Sequence, residues 1–540
     1  MNSVCLLDCT LRDGAYLVDK QFGDNTINGI VRGLINSKVD FVEIGFFQND
    51  GFGDGKTVYR NSKDAKKYVP AKKGNTLFTV LADFSRYSID NLDECMPDSV
   101  DAIRECFFKS EREEALEVCK IIKDKGYKLF VQPVDVLGYT DKELIDFIEK
   151  INEIEPYCFS IVDTFGSMYQ EDLHRVFELV NHNLIETCKI GFHSHNNMQL
   201  SNALSQEFIR MSMGKREVVV DGTLAGMGRG AGNTPTELVM QYMVSKWGYN
   251  YDIDSILDLL DTYMDNIKSR CSWGYSTDYF LAGSYGAHVN NISYLTKKNS
   301  IRSKEIRFIL NKIGASSRKR YDYNLLDKTY LEMMMADIDD TCALETLKKE
   351  IENRKILILV PGNSILENKD MINDYINENN PVVITVNFIP SEFHYDYLYI
   401  SNKKRFEYWR NTKEFIEAKK IITSNFPVDL VDEYTLFVSF MRLIKCGWEA
   451  MDNSTIMLLR LMDIIGVEFI SIAGFDGYSS NYVTKKSYVN DDLELLSPIL
   501  NAADINREIS EMLSDFILTK NTKNMKIEFI TTSRFEKYVI

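Results

Sequence analysis

The chain has 540 residues, of which 45% are hydrophobic and 26% charged. This composition excludes a wholly disordered or collagen-like protein, and the length predicts more than one domain. Lys and Arg total 63 against 79 Asp and Glu, a formal net charge of −16, which argues against nucleic acid and anionic membrane surfaces as partners.

The first residues and the cysteines of the chain bear on the cellular compartment in which the protein is expected. Residues 1–8 lack the basic segment of a signal peptide, and no apolar run reaches the ~18–20 residues that span a bilayer. The ten cysteines include no CxxC pair, which favours free thiols in a reducing environment. We therefore predict a cytoplasmic protein.

The first 225 residues alternate apolar β-type runs with amphipathic helical segments. Asp24 and Asp141 stand where helix N-caps are expected, and Gly126 where a helix ends. Eight such alternations predict a (β/α)8 TIM barrel. The predicted strands are Val4–Leu7, Phe41–Ile44, Thr76–Leu81, Ala102–Cys106, Lys128–Pro133, Cys158–Asp163, Lys189–His193 and Glu217–Asp221.

Helical patterns dominate from about residue 251 to residue 350, and a second α/β pattern begins at Lys355–Val360. Its predicted helix is Ile365–Glu378, and its further strands are Pro381–Asn387, Leu398–Ser401, Lys420–Thr423 and Glu468–Ala473. The predicted architecture is a TIM barrel in residues 1–290, a helical connector in 291–350 and a smaller Rossmann-like α/β domain in 351–540.

Polar residues follow three barrel strands that closure would make neighbours. His193 and His195 end strand seven, Asp13 follows strand one, and Asn233 lies in the glycine-rich run after strand eight. Residues two apart in a strand point to the same side, so both imidazoles can face one metal on the C-terminal face of the barrel. Asp13, His193, His195 and Asn233 are therefore the predicted metal ligands.

This ligand set favours some metals over others. Two imidazoles, a carboxylate and an amide oxygen with open positions suit a catalytic divalent ion such as Mn²⁺ or Mg²⁺. A structural Zn²⁺ site would be closed and richer in thiolates. An open set of two histidines and one carboxylate could also hold Fe²⁺, so the ligands alone leave the reaction open.

Four motifs carry a family resemblance. In order and spacing they resemble the DRE-TIM metallolyase superfamily, which includes HMG-CoA lyase, isopropylmalate synthase and 4-hydroxy-2-oxovalerate aldolase, and they are most similar to the last of these over residues 3–290. The motifs are Thr10–Gly14, Val162–Gly166, His193–Asn197 and Leu224–Asn233.

The resemblance implies a reaction. The metal ligands of the family carry over to Asp13, His193 and His195, and its arginine to Arg12. A 2-oxo acid such as pyruvate would bind the metal, which would act as a Lewis acid on its enolate, and Arg12 would hold the developing oxyanion. Glu43 and Asp163, at strand ends, are expected to support ligands or contact substrate.

One departure concerns the general base. Where the resembled aldolases carry a histidine three residues after the metal aspartate, this chain has Tyr16. A phenol titrates near ~10 and is a weaker base at neutral pH, so either the base or the substrate differs. His288 is a candidate proton donor. The loop after strand eight lacks the cysteine of HMG-CoA lyase, which argues against that activity.

The C-terminal domain carries a shorter resemblance. Its turn after the first strand and Asn387 after the next are similar to nucleotide-binding domains of bacterial sialyltransferases and motility accessory factors. This implies a nucleotide or nucleotide sugar bound by Gly362, Asn363, Ser364 and Asn387, at a strand-to-helix turn where backbone N–H groups can hold phosphate. A scaffold or channelling role is the alternative.

The sequence thus predicts a metal-dependent carbon–carbon lyase that joins or separates a 2-oxo acid and an aldehyde, and a homo-oligomer. Three alternatives stay open. They are a Claisen condensation of an acyl-CoA with a 2-oxo acid, a nucleotide-sugar-dependent glycosyltransferase with a degenerate barrel, and a catalytically silent binding protein.

Overall fold

The structure is a computed structural model that describes residues 3–71, 74–297, 301, 303–334, 338–426, 434–445, 447–448, 452–479, 488–490 and 501–539. The chain separates into two compact units. The first is Met1–Ile292 with Ala315–Tyr321, and the second is Ser293–Gly314 with Asp322–Ile540. The division at residues 290 and 350 stays a prediction.

The first unit is built on nine parallel strands. Eight of them form a closed ring in the order β1-β9-β8-β7-β6-β5-β4-β2, and β3 pairs outside it with β2. Pairing of β1 with β2 closes the ring, so the predicted (β/α)8 barrel is confirmed. The strands are β1 (Val4–Asp8), β2 (Phe41–Phe47), β3 (Val58–Tyr59), β4 (Leu77–Asp83), β5 (Ala102–Phe107), β6 (Lys128–Pro133), β7 (Cys158–Asp163), β8 (Lys189–Ser194) and β9 (Val218–Gly222).

The barrel has a filled interior. Buried side chains from β1, β2, β5, β6, β7 and β9 touch one another, which strands on opposite sides of a barrel can do only in its lumen. They are Leu7, Phe41, Ala102, Phe130, Cys158 and Val219. A larger apolar cluster packs the outer face of the strands against the helices.

Helices cover the barrel and continue beyond it. The observed N-caps are Gly23 and Thr140, each one residue before the predicted Asp24 and Asp141. At the second helix the cap is Thr140 because its hydroxyl accepts the Glu143 N–H. The helices up to residue 351 are Asp24–Asn36, Ser62–Ala65, Arg112–Asp124, Asp141–Ile154, Gln170–Asn183, Ser201–Ser212, Thr236–Trp247, Ile253–Leu259, Leu260–Met264, Asp265–Lys268, Thr277–Tyr285, Val289–Thr296, Ser303–Arg318, Tyr323–Met334 and Thr341–Ile351.

The second unit holds a parallel seven-stranded sheet in the order β14-β13-β12-β11-β10-β15-β16. Chain order reverses direction between β10 and β15, which makes the crevice at their C-terminal ends the switch point of the sheet. The strands are β10 (Ile356–Leu359), β11 (Val382–Val386), β12 (Tyr397–Ile400), β13 (Lys420–Thr423), β14 (Thr435–Val438), β15 (Phe469–Ala473) and β16 (Lys526–Phe529).

The helices of this sheet differ from the sequence expectation at one point. The predicted helix Ile365–Glu378 is two helices that meet at Asn368. The helices are Ser364–Glu367, Lys369–Asn379, Lys403–Trp409, Lys413–Glu417, Phe440–Leu443, Ser454–Ile465 and Ala502–Thr519. Across the described part of the chain, none of the helices has the length and apolar character needed to cross a membrane.

Candidate metal centre

Three side chains that can ligate a metal meet at the C-terminal ends of the barrel strands. Asp13 lies in the loop after β1, His193 lies in β8 and His195 directly follows it. The Asp13 Oδ2 atom is 3.0 Å from His193 Nε2 and 3.4 Å from His195 Nε2. The alternation of β8 brings both rings to the carboxylate, so the structure places these three predicted ligands together.

The second ring nitrogen of each histidine is held by its own partner. His193 Nδ1 lies 2.9 Å from an Asp221 carboxylate oxygen, and His195 Nδ1 lies 3.0 Å from the Asp163 carbonyl oxygen. When Nδ1–H donates to these oxygens, the lone pair of each Nε2 faces Asp13. This arrangement fixes ring orientation and tautomer as metal-binding histidines require.

Buried charges connect the centre into a closed ring of contacts, which we call the ion-pair ring. Arg12 Nε lies 2.7 Å from Glu43, and Arg12 Nη1 lies 3.2 Å from Asp13. Arg104 is fully buried and contacts Glu43 at 3.0 Å and also Asp221. In order, the ring consists of Asp13, Arg12, Glu43, Arg104, Asp221 and His193.

Burial and charge act against each other on these groups. Burial opposes ionisation of Asp13, but Arg12 and the two histidines hold its pKa well below its usual range. Burial also disfavours the charged form of His193, yet its carboxylate partners raise its pKa. The pKa of His195 is lowered by burial. A ligating carboxylate and a neutral imidazole are therefore both available.

The donor set fits a divalent cation. Asn233 Oδ1 is buried and has no hydrogen-bond partner among the described residues, while Asn233 Nδ2 donates to the Met227 carbonyl at 3.1 Å. Asn233 also pairs through its backbone with His195. The three carboxylates of the ion-pair ring exceed its two guanidinium groups by one negative charge when the histidines are neutral. An orphaned oxygen and an excess of buried negative charge both favour a cation.

Arg229 lies against Tyr16 and acts electrostatically on His288. The guanidinium carbon of Arg229 is 3.9 Å from the centroid of the half-buried Tyr16 ring. Burial raises the pKa of Tyr16, so its phenol is protonated at neutral pH. Burial and the charges of Arg229 and His195 lower the pKa of His288 to about 4. His288 Nδ1 accepts the Asn290 N–H at 3.1 Å, which leaves the proton of the neutral ring on Nε2.

Glu43 and Asp163 support the centre through their contacts. Glu43 is fully buried in the ion-pair ring. The Asp163 carboxylate accepts the backbone N–H groups of Ser167 and Met168 at 2.9 and 3.2 Å, and burial raises its pKa to about 7. Asp163 thus shapes the loop after β7, and its carbonyl group contacts His195.

Three contributing residues were missed by sequence reasoning. Arg104 and Asp221 are charged residues inside apolar strand runs, and such a buried charge needs a buried partner. Asn197 joins two loops, because Nδ2 donates to the Phe165 carbonyl at 3.0 Å and Oδ1 accepts the Ala231 N–H at 2.9 Å. The signal for Arg104 and Asp221 was present in the sequence, whereas the role of Asn197 depends on how the loops meet.

The four residues expected to bind a nucleotide lie at the switch point of the second unit or beside it. Gly362 and Asn387 line a cleft there, and Asn363 and Ser364 start the helix that follows β10. The Ser364 N–H donates to Asp476 at 2.8 Å. Asn387 Oδ1 accepts two backbone N–H groups of the next turn, at 3.1 and 3.3 Å. Several of these polar groups therefore already have partners inside the protein.

Comparison with known proteins finds relatives that match mainly the first half of the chain. Over 299 residues it is 26% identical to an oxaloacetate decarboxylase of Mycobacterium tuberculosis, covering 52% of this chain and 82% of the relative. Over 354 residues it is 22% identical to a 4-hydroxy-2-oxovalerate aldolase of Pseudoalteromonas translucida, covering 62% and 96%. A solved HMG-CoA lyase of Bacillus subtilis is 17% identical with a TM-score of 0.41, over 49% of this chain and 94% of that one.

The relatives named as a decarboxylase and an aldolase support an enzyme of the lyase type. The model of the HMGL-like family matches residues 3–262, which contain every residue of the ion-pair ring. Residues 3–262 of this chain form an HMGL-like domain.

Proposed function

We propose that the protein is a divalent-metal-dependent carbon–carbon lyase that acts on a 2-oxo acid of pyruvate type together with an aldehyde. The observation that carries the proposal is the contact of one Asp13 oxygen with His193 Nε2 and His195 Nε2, at 3.0 and 3.4 Å. The relative named 4-hydroxy-2-oxovalerate aldolase supports the same class.

The metal would be held by Asp13, His193 and His195, with Asn233 as a fourth ligand, and Mn²⁺ or Mg²⁺ suits this set. Such an ion supplies Lewis-acid stabilisation of the enolate of the 2-oxo acid. Arg12 is oriented by Glu43 at 2.7 Å and would donate to the oxygen on which negative charge develops.

Proton transfer would involve groups outside the metal ligands. Tyr16 has a raised pKa and would act as a hydrogen-bond donor to substrate, not as a base. His288 is neutral at pH 7, and its Nε2–H would donate to the alkoxide oxygen that forms on the aldehyde carbon. Arg229, which lies against Tyr16 and lowers the pKa of His288, would hold substrate charge nearby.

The test is metal-dependent exchange of the C3 protons of pyruvate in D2O, followed by NMR. We expect exchange with Mn²⁺ or Mg²⁺, and its loss in Asp13→Ala, because enolate formation precedes any bond to an aldehyde. Asp258→Ala is the matched control, since Asp258 is exposed on the helix Ile253–Leu259. Wild-type protein that loads metal and exchanges no proton would refute the aldolase proposal.

Decarboxylation of a 2-oxo diacid is the second candidate function. It forms the same enolate by loss of CO2, so it needs no base to remove a proton from carbon. The raised pKa of Tyr16, at the position of the base in the resembled aldolases, favours this chemistry, as does the relative named oxaloacetate decarboxylase. Release of CO2 from oxaloacetate above the metal-only rate, without pyruvate exchange, would select it.

The remaining alternatives predict different readouts. A Claisen enzyme would release a free thiol from acetyl-CoA with a 2-oxo acid. A nucleotide-sugar transferase would lose activity in Asn363→Ala and keep it in Asp13→Ala. The nucleotide proposal for the second unit also has a direct test, since cytidine monophosphate should bind wild-type protein and bind Asn387→Ala more weakly.

A further inference from the structure

A second polar cleft opens on the first unit, at the C-terminal ends of β5 and β6. Its volume is about 500 Å³, within the usual range of small-ligand sites. Lys109 and Arg112 reach it from the segment after β5, and Lys319 and Arg320 from residues 315–321. Four cationic side chains around one cleft are notable in a chain of net charge −16.

The segment that supplies two of these cations is fixed to the barrel face. The Arg318 carbonyl accepts the His288 N–H at 2.9 Å. Lys319 Nζ contacts Asp135 at 2.5 Å, and Arg320 Nη2 donates to the Ser110 hydroxyl at 3.1 Å. These contacts hold the run Arg318–Arg320 against the barrel, and Lys319 and Arg320 line the cleft.

Acidic neighbours only partly balance these charges. Lys109 contacts Glu143 at 2.6 Å, and Arg112 contacts Glu113 at 3.3 Å. Glu113 is shared with a further cation, Lys150, at 2.6 Å. Arg320 contacts no carboxylate within the described ranges of the chain. The pairs hold the side chains in position, and the cleft keeps an excess of positive charge.

The cleft lies on the same face of the barrel as the metal centre. Asp135, which holds Lys319, donates its N–H to the Thr164 hydroxyl at 2.8 Å. The neighbouring residue, Asp163, contacts His195 through its carbonyl group. The loop after β7 therefore touches the cleft on one side and a predicted metal ligand on the other. Both sites therefore lie at the C-terminal ends of the barrel strands, the face on which substrates of such barrels bind.

We propose that this cleft binds the phosphate group of a phosphorylated aldehyde whose carbonyl carbon reacts at the metal centre. The cleft offers hydrogen-bond donors from two guanidinium groups, two ammonium groups and the Ser110 hydroxyl. A carboxylate ligand, with two oxygens, would leave many of these donors unused. A phosphate monoester has three terminal oxygens and close to two negative charges. The substrate half of this inference rests on the proposed function, and the phosphate site does not.

The site is tested by titrating inorganic phosphate into full-length, metal-free protein at constant ionic strength, with chloride as the reference anion, by calorimetry. We expect saturable binding and a Kd at least about tenfold weaker in Arg320→Gln and Lys109→Gln, the loss expected for one charged hydrogen bond. Arg32→Gln is the matched control, since Arg32 is exposed on the helix Asp24–Asn36. Absence of saturable binding, or equal binding by Arg320→Gln, would overturn the site.

The substrate half is tested by aldol addition, in which C3 of pyruvate bonds to the aldehyde carbon and the proton lost from C3 is balanced by one gained at the new hydroxyl. With glyceraldehyde 3-phosphate against glyceraldehyde as probes, we expect a lower KM for the phosphorylated aldehyde, and loss of that preference in Arg320→Gln. Pyruvate exchange without such a preference overturns the substrate half and leaves the proposed function standing. Phosphate binding that depends on Arg320, without any pyruvate exchange, overturns the proposed function and the substrate half and leaves the phosphate site standing.

Discussion

Arg104 shows what a single buried charge does in this barrel. It has no solvent exposure and bridges Glu43 and Asp221, which in turn hold Arg12 and His193. Removing one partner from such an arrangement leaves buried charge uncompensated, which costs more than the pair contributes.

We therefore expect Arg104→Met to lower the free energy of unfolding by about 3–5 kcal/mol, because two buried carboxylates lose their shared cation. Urea denaturation of the metal-free protein measures this change. Arg32→Met is the control, and its exposed position predicts a change within about 0.5 kcal/mol. Equal effects of the two substitutions would contradict the role assigned to Arg104.

Asp8 predicts a pH dependence of stability. Burial raises its pKa from 3.8 to about 6 in the folded protein. The folded state then binds the proton more tightly than the unfolded state, so the stability that Asp8 contributes is complete below about pH 4 and is lost as the pH rises through 6. We expect the free energy of unfolding of Asp8→Asn, relative to that of wild type, to rise by about 2 kcal/mol from pH 4.5 to pH 7.5. Urea unfolding of both proteins at the two pH values measures this. A difference between the two proteins that is the same at both pH values would contradict the prediction.

At the residue scale, the structure brings together the predicted ligands whose motifs were local, and their role stays a prediction. Asp13, His193 and His195 stand at strand ends, and strand alternation plus barrel closure was enough to bring them together. The partners Asp221 and Arg104 lie on other strands, and their pairing depends on register across the sheet. That register places Leu7 opposite Asp221 and Leu81 opposite Arg104, which a single sequence does not specify.

At the scale of elements, the loop after β7 packs tightly against the histidine motif. Gly166 has φ +57°, and a Cβ there would lie 2.7 Å from Asn197 N and 2.9 Å from His195 O. Both contacts are with backbone, which cannot move without moving the loop. Gly214 also has a positive φ, +74°, but nothing lies within 4 Å of its Cβ position. It therefore shares the backbone conformation of Gly166 without the close contacts.

We expect Gly166→Ala to weaken Mn²⁺ binding at least about tenfold, because the shift it forces displaces His195. Gly214→Ala should cost about 1 kcal/mol of stability through its φ alone and leave Mn²⁺ affinity unchanged. Calorimetric titration of both variants gives the comparison. Equal Mn²⁺ affinities would show that this loop does not position the ligand.

The element pattern explains which strands were predictable. The barrel strands alternate with long amphipathic helices, and each observed strand bound lies within three residues of its prediction. In the second unit, Thr435–Val438 and Lys526–Phe529 were not predicted, because each is an edge strand of four residues with half-exposed positions. The helix after β10 was predicted as continuous because a break at Asn368 leaves no signal in apolar spacing.

For the whole molecule, each unit has its own sheet and its own apolar clusters. We therefore expect scanning calorimetry to resolve two transitions, of which Mn²⁺ raises only one, since all predicted metal ligands lie in Met1–Ile292. At an ion concentration of about 100 times Kd, the stabilisation is about 2.7 kcal/mol.

Asp13→Ala serves as the control and should remove the Mn²⁺ shift without removing either transition. A single transition that moves as a whole with Mn²⁺ would show instead that the two units unfold together. The predicted homo-oligomer is examined in the same samples, because association makes the transition temperature depend on protein concentration.

The closure of the ion-pair ring has a consequence for how such a centre can change. Every member has at least two partners, so a single substitution that removes one charge takes a partner from two buried neighbours at once. Compensating changes must therefore fall on adjacent members of the ring. We therefore expect the six positions of the ion-pair ring to be kept or changed together among related sequences. Moving the centre to another barrel would require all six residues to be transplanted together. They come from four strands and the loop after a fifth: Arg12, Asp13, Glu43, Arg104, His193 and Asp221.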